Sequence, residues 1–168
     1  MFRTLLKAIT FATLTATLAS AEDLPVPQGD VILTISGNVE TVNVDKTAQF
    51  DLALLEGMDA TTFETTTIWT KGKQVFQGVS LKLLVEALGL EGTKLNASAI
   101  NDYTVEIPMS DAVEGGAIVA YRLNDKTMSV REKGPLWIVY PYDSNDTYRS
   151  EVTYSRSIWQ LDRIEVLD

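Results

Sequence analysis

The chain contains neither cysteine nor histidine, so two of the side chains most used for chemistry are missing. There is no thiolate to hold a redox metal or attack a carbonyl, and no imidazole to move a proton near neutral pH. A serine nucleophile would find no histidine base. What could do chemistry is a set of aromatic rings interleaved with carboxylates and guanidiniums. Tyr142, Asp143, Tyr148, Arg149, Tyr154 and Arg156 crowd one polar stretch, Trp69 ends a threonine-rich run, and Asp102 and Tyr103 follow Asn101 at a step from loop to strand. Aromatic faces stack on flat heterocycles, and phenol and indole groups add hydrogen bonds at the ligand edge. Each residue also has a plainer reading. Trp137 and Trp159 sit in apolar runs and are expected in the core, whereas Trp69 suits core or site equally. Asp102 fits the cap of a turn. Arg122, Arg131 and Arg163 read as surface charges.

These residues need elements to position them. Val31–Ile35 and the alternating Val39–Val44, joined by Gly37-Asn38, predict an opening hairpin. Thr47 or Asp51 starts a short helix that closes at Gly57. The threonine-rich run from Thr61 to Thr70 predicts a strand. Ser80 caps a helix whose apolar face is Leu81, Leu84, Val85 and Leu88, with Gly89 as its left-handed stop. Val105 with Ile107, Ala117–Leu123, Leu136–Tyr140 and Ile158–Val166 predict further strands. Asp143 to Tyr154 reads as a polar, aromatic loop, the kind of segment that often carries binding function. The pattern is α+β, richer in strand than helix.

Met1–Lys7 is short and basic, Ala8–Leu18 is apolar, and Ala19-Ser20-Ala21 is a small-x-small site. Residues 1–21 therefore read as a signal peptide, residues 22–30 as a leader with Pro25 and Pro27, and residues 31–168 as one domain. The expected location is the periplasm or outside the cell, with no membrane insertion after the signal is removed. The formal charge is −9, and more negative still without Arg3 and Lys7. Such a surface repels nucleic acid. Asp143, Asp146 and Glu151 lack the alternating, glycine-bearing pattern of a calcium loop. Gly115-Gly116 follows no phosphate-binding pattern.

Four segments, taken in order, resemble the sulfite-oxidase-type oxidoreductase molybdopterin-binding domain. They are Phe76-Gln77-Gly78-Val79 continuing to Leu84, Asn101-Asp102-Tyr103, Gly134-Pro135-Leu136-Trp137 continuing to Pro141, and Ser157-Ile158-Trp159-Gln160 continuing to Val166. The resemblance implies that family's strand-rich α+β fold, in a short, single-domain form. It also implies a metal-ligating cysteine about a dozen residues before Gly78, where this chain has Thr65-Thr66-Thr67. The family's cofactor-holding Arg and Lys would fall near Trp137 and Ile158, and both are absent.

On that resemblance the expected ligand is a pterin or molybdopterin-like molecule without a metal. The expected binding residues are Trp69, Asp102, Tyr103, Tyr142, Asp143, Tyr148, Arg149, Tyr154 and Arg156. A carboxylate from Asp102, Asp143 or Asp146 would read the amino-pyrimidine edge, and Arg149 and Arg156 would meet ring or side-chain oxygens. The implied function is an exported pterin-binding protein that reports to the periplasmic domain of a membrane sensor, more a binding module than an enzyme. The alternative is a periplasmic molybdopterin-dependent oxidoreductase.

Overall fold

The computed structural model describes residues 24–168, so the signal-peptide reading lies outside the described residues. Among those residues no helix is long and apolar enough to cross a membrane. The segment read as a leader packs on the domain. Leu24 lies against the core, and the Gln28 and Gly29 amides donate to Asp51 Oδ2 at 2.9 and 2.8 Å.

One mixed sheet organises the chain. Strand β1 (Leu33–Gly37) pairs antiparallel with β2 (Ala48–Phe50) and parallel with β10 (Trp159–Leu167). From β10 the path continues through β9 (Leu136–Val139), β7 (Ile118–Leu123), β4 (Lys73–Ser80) and β3 (Ala60–Thr66). The hairpin of β5 (Lys94–Ala99) and β6 (Thr104–Pro108) joins through β5 to β10, and β8 (Lys126–Thr127) extends β7. β10 is thus the hub. Its Leu161 lies between Ala99 and Leu136, and Arg163–Val166 lie between β1 and β5.

The opening hairpin is a correction. β1 does not pair with Val39–Val44, which contributes only isolated bridges at Val39 and Val44. Ala48 and Phe50, both fully buried, take the neighbouring place instead. Asn43 explains why, since its side chain bonds Pro25, Gln49 N–H and Gln49 C=O and holds its segment as a wide turn. Helix α1 (Leu52–Glu56) begins after Asp51, whose Oδ1 accepts from Leu54 N at 2.8 Å. Helix α2 (Leu81–Leu88) begins after Ser80 and ends on Gly89 at φ +58. It buries Leu81, Leu84 and Leu88.

The predicted strand Thr61–Thr70 stops at Thr66, because Thr67 folds the chain into a turn. The predicted loop Asp143–Tyr154 is a second correction. It forms a 3-10 turn at Asp146–Tyr148 and then helix α3 (Glu151–Arg156). Ser150 Oγ caps α3 by accepting from Thr153 N at 3.2 Å. Glu151 in the first turn and Arg156 in the last suit the helix dipole.

Gly78 in β4 has a packing reason. A Cβ built there would lie 2.1 Å from Val119 O and 2.6 Å from Ala120 Cα. Those atoms belong to the neighbouring strand β7, so no side chain can yield. Gly78→Ala is expected to destabilise the fold by about 3 kcal/mol, the upper end of overpacking costs. Chemical denaturation of this variant beside Gly57→Ala, whose added Cβ meets nothing closer than 3.4 Å and whose φ is −75, checks it.

Candidate functional site: an aromatic cleft

A cleft of about 400 Å³ opens where the β3–β4 turn, the β5–β6 turn, α3 and the start of β10 meet. Its walls are Trp69, Tyr103, Tyr154 and Trp159, with Asn101, Ser155 and Gln160 at the polar positions and Ala99, Ser157 and Ile158 at the base. Among the described residues no charged side chain is part of the lining.

Each wall is held locally. Trp69 sits in the turn after β3, where Thr67 Oγ1 accepts from its amide at 3.1 Å and meets Thr70 Oγ1 at 2.8 Å. Its indole meets Trp137, Tyr154 and Trp159 edge-on, with centroids 5.8, 5.8 and 5.6 Å away. Such edge-to-face arrangements are the favoured ones. Tyr154 rides on α3. The helix is anchored at its last turn, where Arg156 pairs with Asp111 at 3.0 Å and the Tyr140 hydroxyl donates to the same carboxylate at 2.7 Å. Beneath it, Tyr142 O–H donates to Ser157 Oγ at 2.6 Å, and that hydroxyl donates to Thr153 O at 2.9 Å. Burial pushes the Tyr142 phenol up to about 12, and burial with the Asp111 contact pushes Tyr140 higher still. Both phenols therefore stay protonated donors.

Tyr103 follows a three-residue hairpin turn. Asp102 N donates to Ala99 O at 2.9 Å, and Asp102 itself takes a left-handed φ of +65. Trp159 is aimed by a bulge. The β9–β10 register shifts between Trp159 and Leu161, and Gln160 between them has φ +53. Left-handed backbone costs a side-chain-bearing residue about 1–2 kcal/mol, and bulges of this kind re-aim side chains beside sites. Lys133 Nζ lies over the Trp159 ring, 4.5 Å from its centroid.

Of the sequence-predicted residues, the structure brings Trp69, Tyr103 and Tyr154 together in the cleft. The other six lie elsewhere. Asp102 turns outward to pair with Arg163. Tyr142 is buried under the cleft floor, and Tyr148 packs on Tyr140 with centroids 5.8 Å apart. Asp143 accepts from Thr66 N and Thr66 Oγ1, both at 2.7 Å, and binds Arg149 at 3.2 Å. Arg149 also holds Asp146, and Arg156 holds Asp111. These charges pair with one another, most of them at the surface and none within the cleft lining. Trp159, read chiefly as a core residue, lines the cleft as well as touching Trp137. Sequence reasoning missed Asn101, Ser155 and Gln160. One signal for Gln160 was present: Ile158 and Leu161, three apart, are both buried, which strict strand alternation forbids.

Asp143 yields a pH expectation. Its carboxyl is held below the usual range first by the Thr66 hydroxyl, then by the Thr66 amide, with Arg149 adding to both. A depressed folded value stabilises the fold above the unfolded value, near pH 3.9. That contribution disappears as pH falls further. The thermal midpoint should be flat between about pH 7 and 5 and fall below about pH 4, with Asp143→Asn showing a shallower fall in the same melts.

Residues 32–144 match the family described as the oxidoreductase molybdopterin binding domain. The chain belongs to that family. No curated protein matches it. Among solved structures, the sulfane dehydrogenase SoxCD from Paracoccus pantotrophus is similar in fold, with a TM-score of 0.59 and 20% identity over 81% of this chain. The match spans 38% of the SoxCD chain.

A molybdopterin-binding family raises the question of fit. The aromatic walls suit the flat ring. The donor set does not suit a side-chain-held molybdenum. Where the resemblance puts a cysteine, Thr65 is fully buried and its Oγ1 accepts from Asp143 N at 3.0 Å and donates to Thr66 O at 3.2 Å. Thr66 is bound to Asp143 and Thr67 to Thr70. A phosphate would want a guanidinium or ammonium among the lining residues, and the lining holds neither. Among the described residues no three acidic side chains gather as a metal site.

Proposed function

We propose that this chain is an exported pterin-binding protein that carries no molybdenum and reports its ligand to the periplasmic domain of a membrane sensor. One observation carries the reading: a cleft of about 400 Å³ walled by Trp69, Tyr103, Tyr154 and Trp159 and free of charged lining. That volume falls in the range of small-ligand sites. A bicyclic heterocycle can lie between the indoles and phenols, and Asn101, Ser155 and Gln160 supply neutral edge contacts. The family's own ligand is a pterin derivative, which the aromatic walls suit. The metal and phosphate parts of that ligand have no counterpart here. The basic, apolar and small-residue run of residues 1–21 supports export. In this reading a second protein reads the occupied state. The ligand can shift that interaction only by its differential affinity for the free and partnered forms.

The test is a titration of purified protein with a reduced, unphosphorylated pterin, followed by quenching of tryptophan fluorescence, with elemental analysis of protein from its native compartment. Saturable quenching with molybdenum far below one per chain is expected. Molybdenum near one per chain would turn the reading to a periplasmic molybdopterin-dependent oxidoreductase. An unchanged spectrum at millimolar pterin would remove the pterin altogether. Pull-downs from membrane extracts with and without the pterin test the partner, and identical partners at identical strength would sink the sensor role.

A further inference from the structure

We propose that Gln160 is the specificity-determining residue of the cleft: its Oε1 is a fixed, uncharged acceptor for an N–H donor on the ligand's heterocyclic edge. The assignment rests on the pterin reading above and deepens it.

Gln160 has four polar groups, and three are committed. Its amide N–H donates to Lys133 O at 2.9 Å, its carbonyl accepts from Ile100 N at 3.0 Å, and its Nε2 donates to Val130 O at 2.8 Å. The last bond settles the orientation of the side-chain amide, because a backbone carbonyl can only accept. Nε2 must face Val130, so Oε1 faces away from it. Among the described residues Oε1 has no partner, and Gln160 is one of the residues lining the cleft. The side-chain bond to Val130 orients Oε1, and the two backbone bonds hold the strand position from which the side chain projects.

The backbone supports this reading. Gln160 keeps φ +53 inside a strand, a conformation that glycine would take without cost. A glycine there would make the same two backbone hydrogen bonds. What the glutamine adds is its amide, and half of that amide serves only to orient the other half. Strain of this kind concentrates at binding sites.

Neutrality sets the ligand class. With no carboxylate among the lining residues, the site offers no counter-charge to a cation. Asn101 complements the acceptor. Its Oδ1 accepts from Tyr103 N at 3.2 Å, which leaves its Nδ2 as a donor. A fixed acceptor and a fixed donor, both neutral, fit a ring edge that carries a neutral N–H and a C=O, as the amino-pyrimidinone edge of a pterin does. A ring whose N–H groups are methylated would leave Oε1 desolvated and unpaired, which a site built around a hydrogen bond penalises.

The experiment compares binding of pterin and of its 3-methyl-2-dimethylamino derivative by the full protein and three variants. The wild type should prefer pterin by about tenfold or more. Gln160→Leu should reduce that preference to the steric part alone, within about twofold of parity. Gln160→Glu, which loses the donor to Val130 and with it the orientation of its acceptor, should also weaken the preference. Gln160→Gly should lose the preference without a lower melting midpoint, because release of the left-handed strain offsets the exposed bond to Val130. Gln160→Leu binding pterin with its full preference overturns the assignment while leaving the pterin reading intact. Gln160→Gly melting well below the wild type marks the residue as structural and also overturns it. A wild type that binds neither compound overturns the pterin reading, and the assignment falls with it.

Discussion

Trp137→Ala should cost about 3–5 kcal/mol, the range for truncating a buried aromatic, and should lower the urea midpoint more than any other single truncation tested. The indole is fully buried in β9. It meets Phe76 at 5.3 Å, Trp69 at 5.8 Å and Trp159 at 6.2 Å between centroids. It thus joins β4, the β3–β4 turn and β10. Its Nε1 donates to Ser157 O at 3.2 Å, so alanine would open a cavity and also strand a buried carbonyl. A domain of this size has a total stability of roughly 5–15 kcal/mol, so the loss is a large share of it. Trp137→Phe keeps most of the volume and loses the hydrogen bond, and should fall between the two. Urea denaturation of the three proteins tests the ranking. A Trp137→Ala loss below about 1 kcal/mol would mean that the cluster is loosely packed.

Much of the fold was legible because its elements carry local signals. Ser80 and Gly89 bracket α2, Asp51 caps α1, and the runs ending at Leu123, Tyr140 and Val166 are strands close to where alternation puts them. β4 and β5 were harder. Gln74, Gln77, Asn96 and Ser98 interrupt their apolar runs, and their pairing depends on partners far along the chain. α3 hid behind polar residues, since its cap is one serine hydroxyl and only Thr153 of its residues is buried. The site divided along the same line. Aromatic residues announce themselves by type, and Trp69, Tyr103 and Tyr154 do meet in one cleft. The charged candidates lie outside the cleft, and sequence does not show which ones pair. Asp143 pairs with Arg149, Asp111 with Arg156 and Asp102 with Arg163. Gln160 was hidden by the bulge that makes it useful, since a register shift changes which face a residue occupies.

Trp159→Ala should weaken ligand binding by about 1–3 kcal/mol, the cost of removing an aromatic platform from a stacked base, or roughly tenfold to a hundredfold in affinity. Trp159 is half-buried, with part of its indole against Trp137 and Trp69 and part on the cleft wall. Some stability will also be lost, so a binding defect in this variant alone would be ambiguous. Two comparisons separate the effects. Trp159→Phe keeps a ring against Trp69 and should hold near-native stability while binding more weakly, because phenyl presents less area than indole. Arg156→Ala works the other way. Arg156 anchors α3 to Asp111 and is absent from the cleft lining, so its removal should lower the melting midpoint more than it lowers affinity at a temperature where the variant is folded. Melts and fluorescence titrations on the three variants decide the matter. If Arg156→Ala loses affinity while keeping its melting midpoint, and Trp159→Phe does the reverse, the ligand sits on the α3–Asp111 side of the molecule and the aromatic cleft is only the edge of the core.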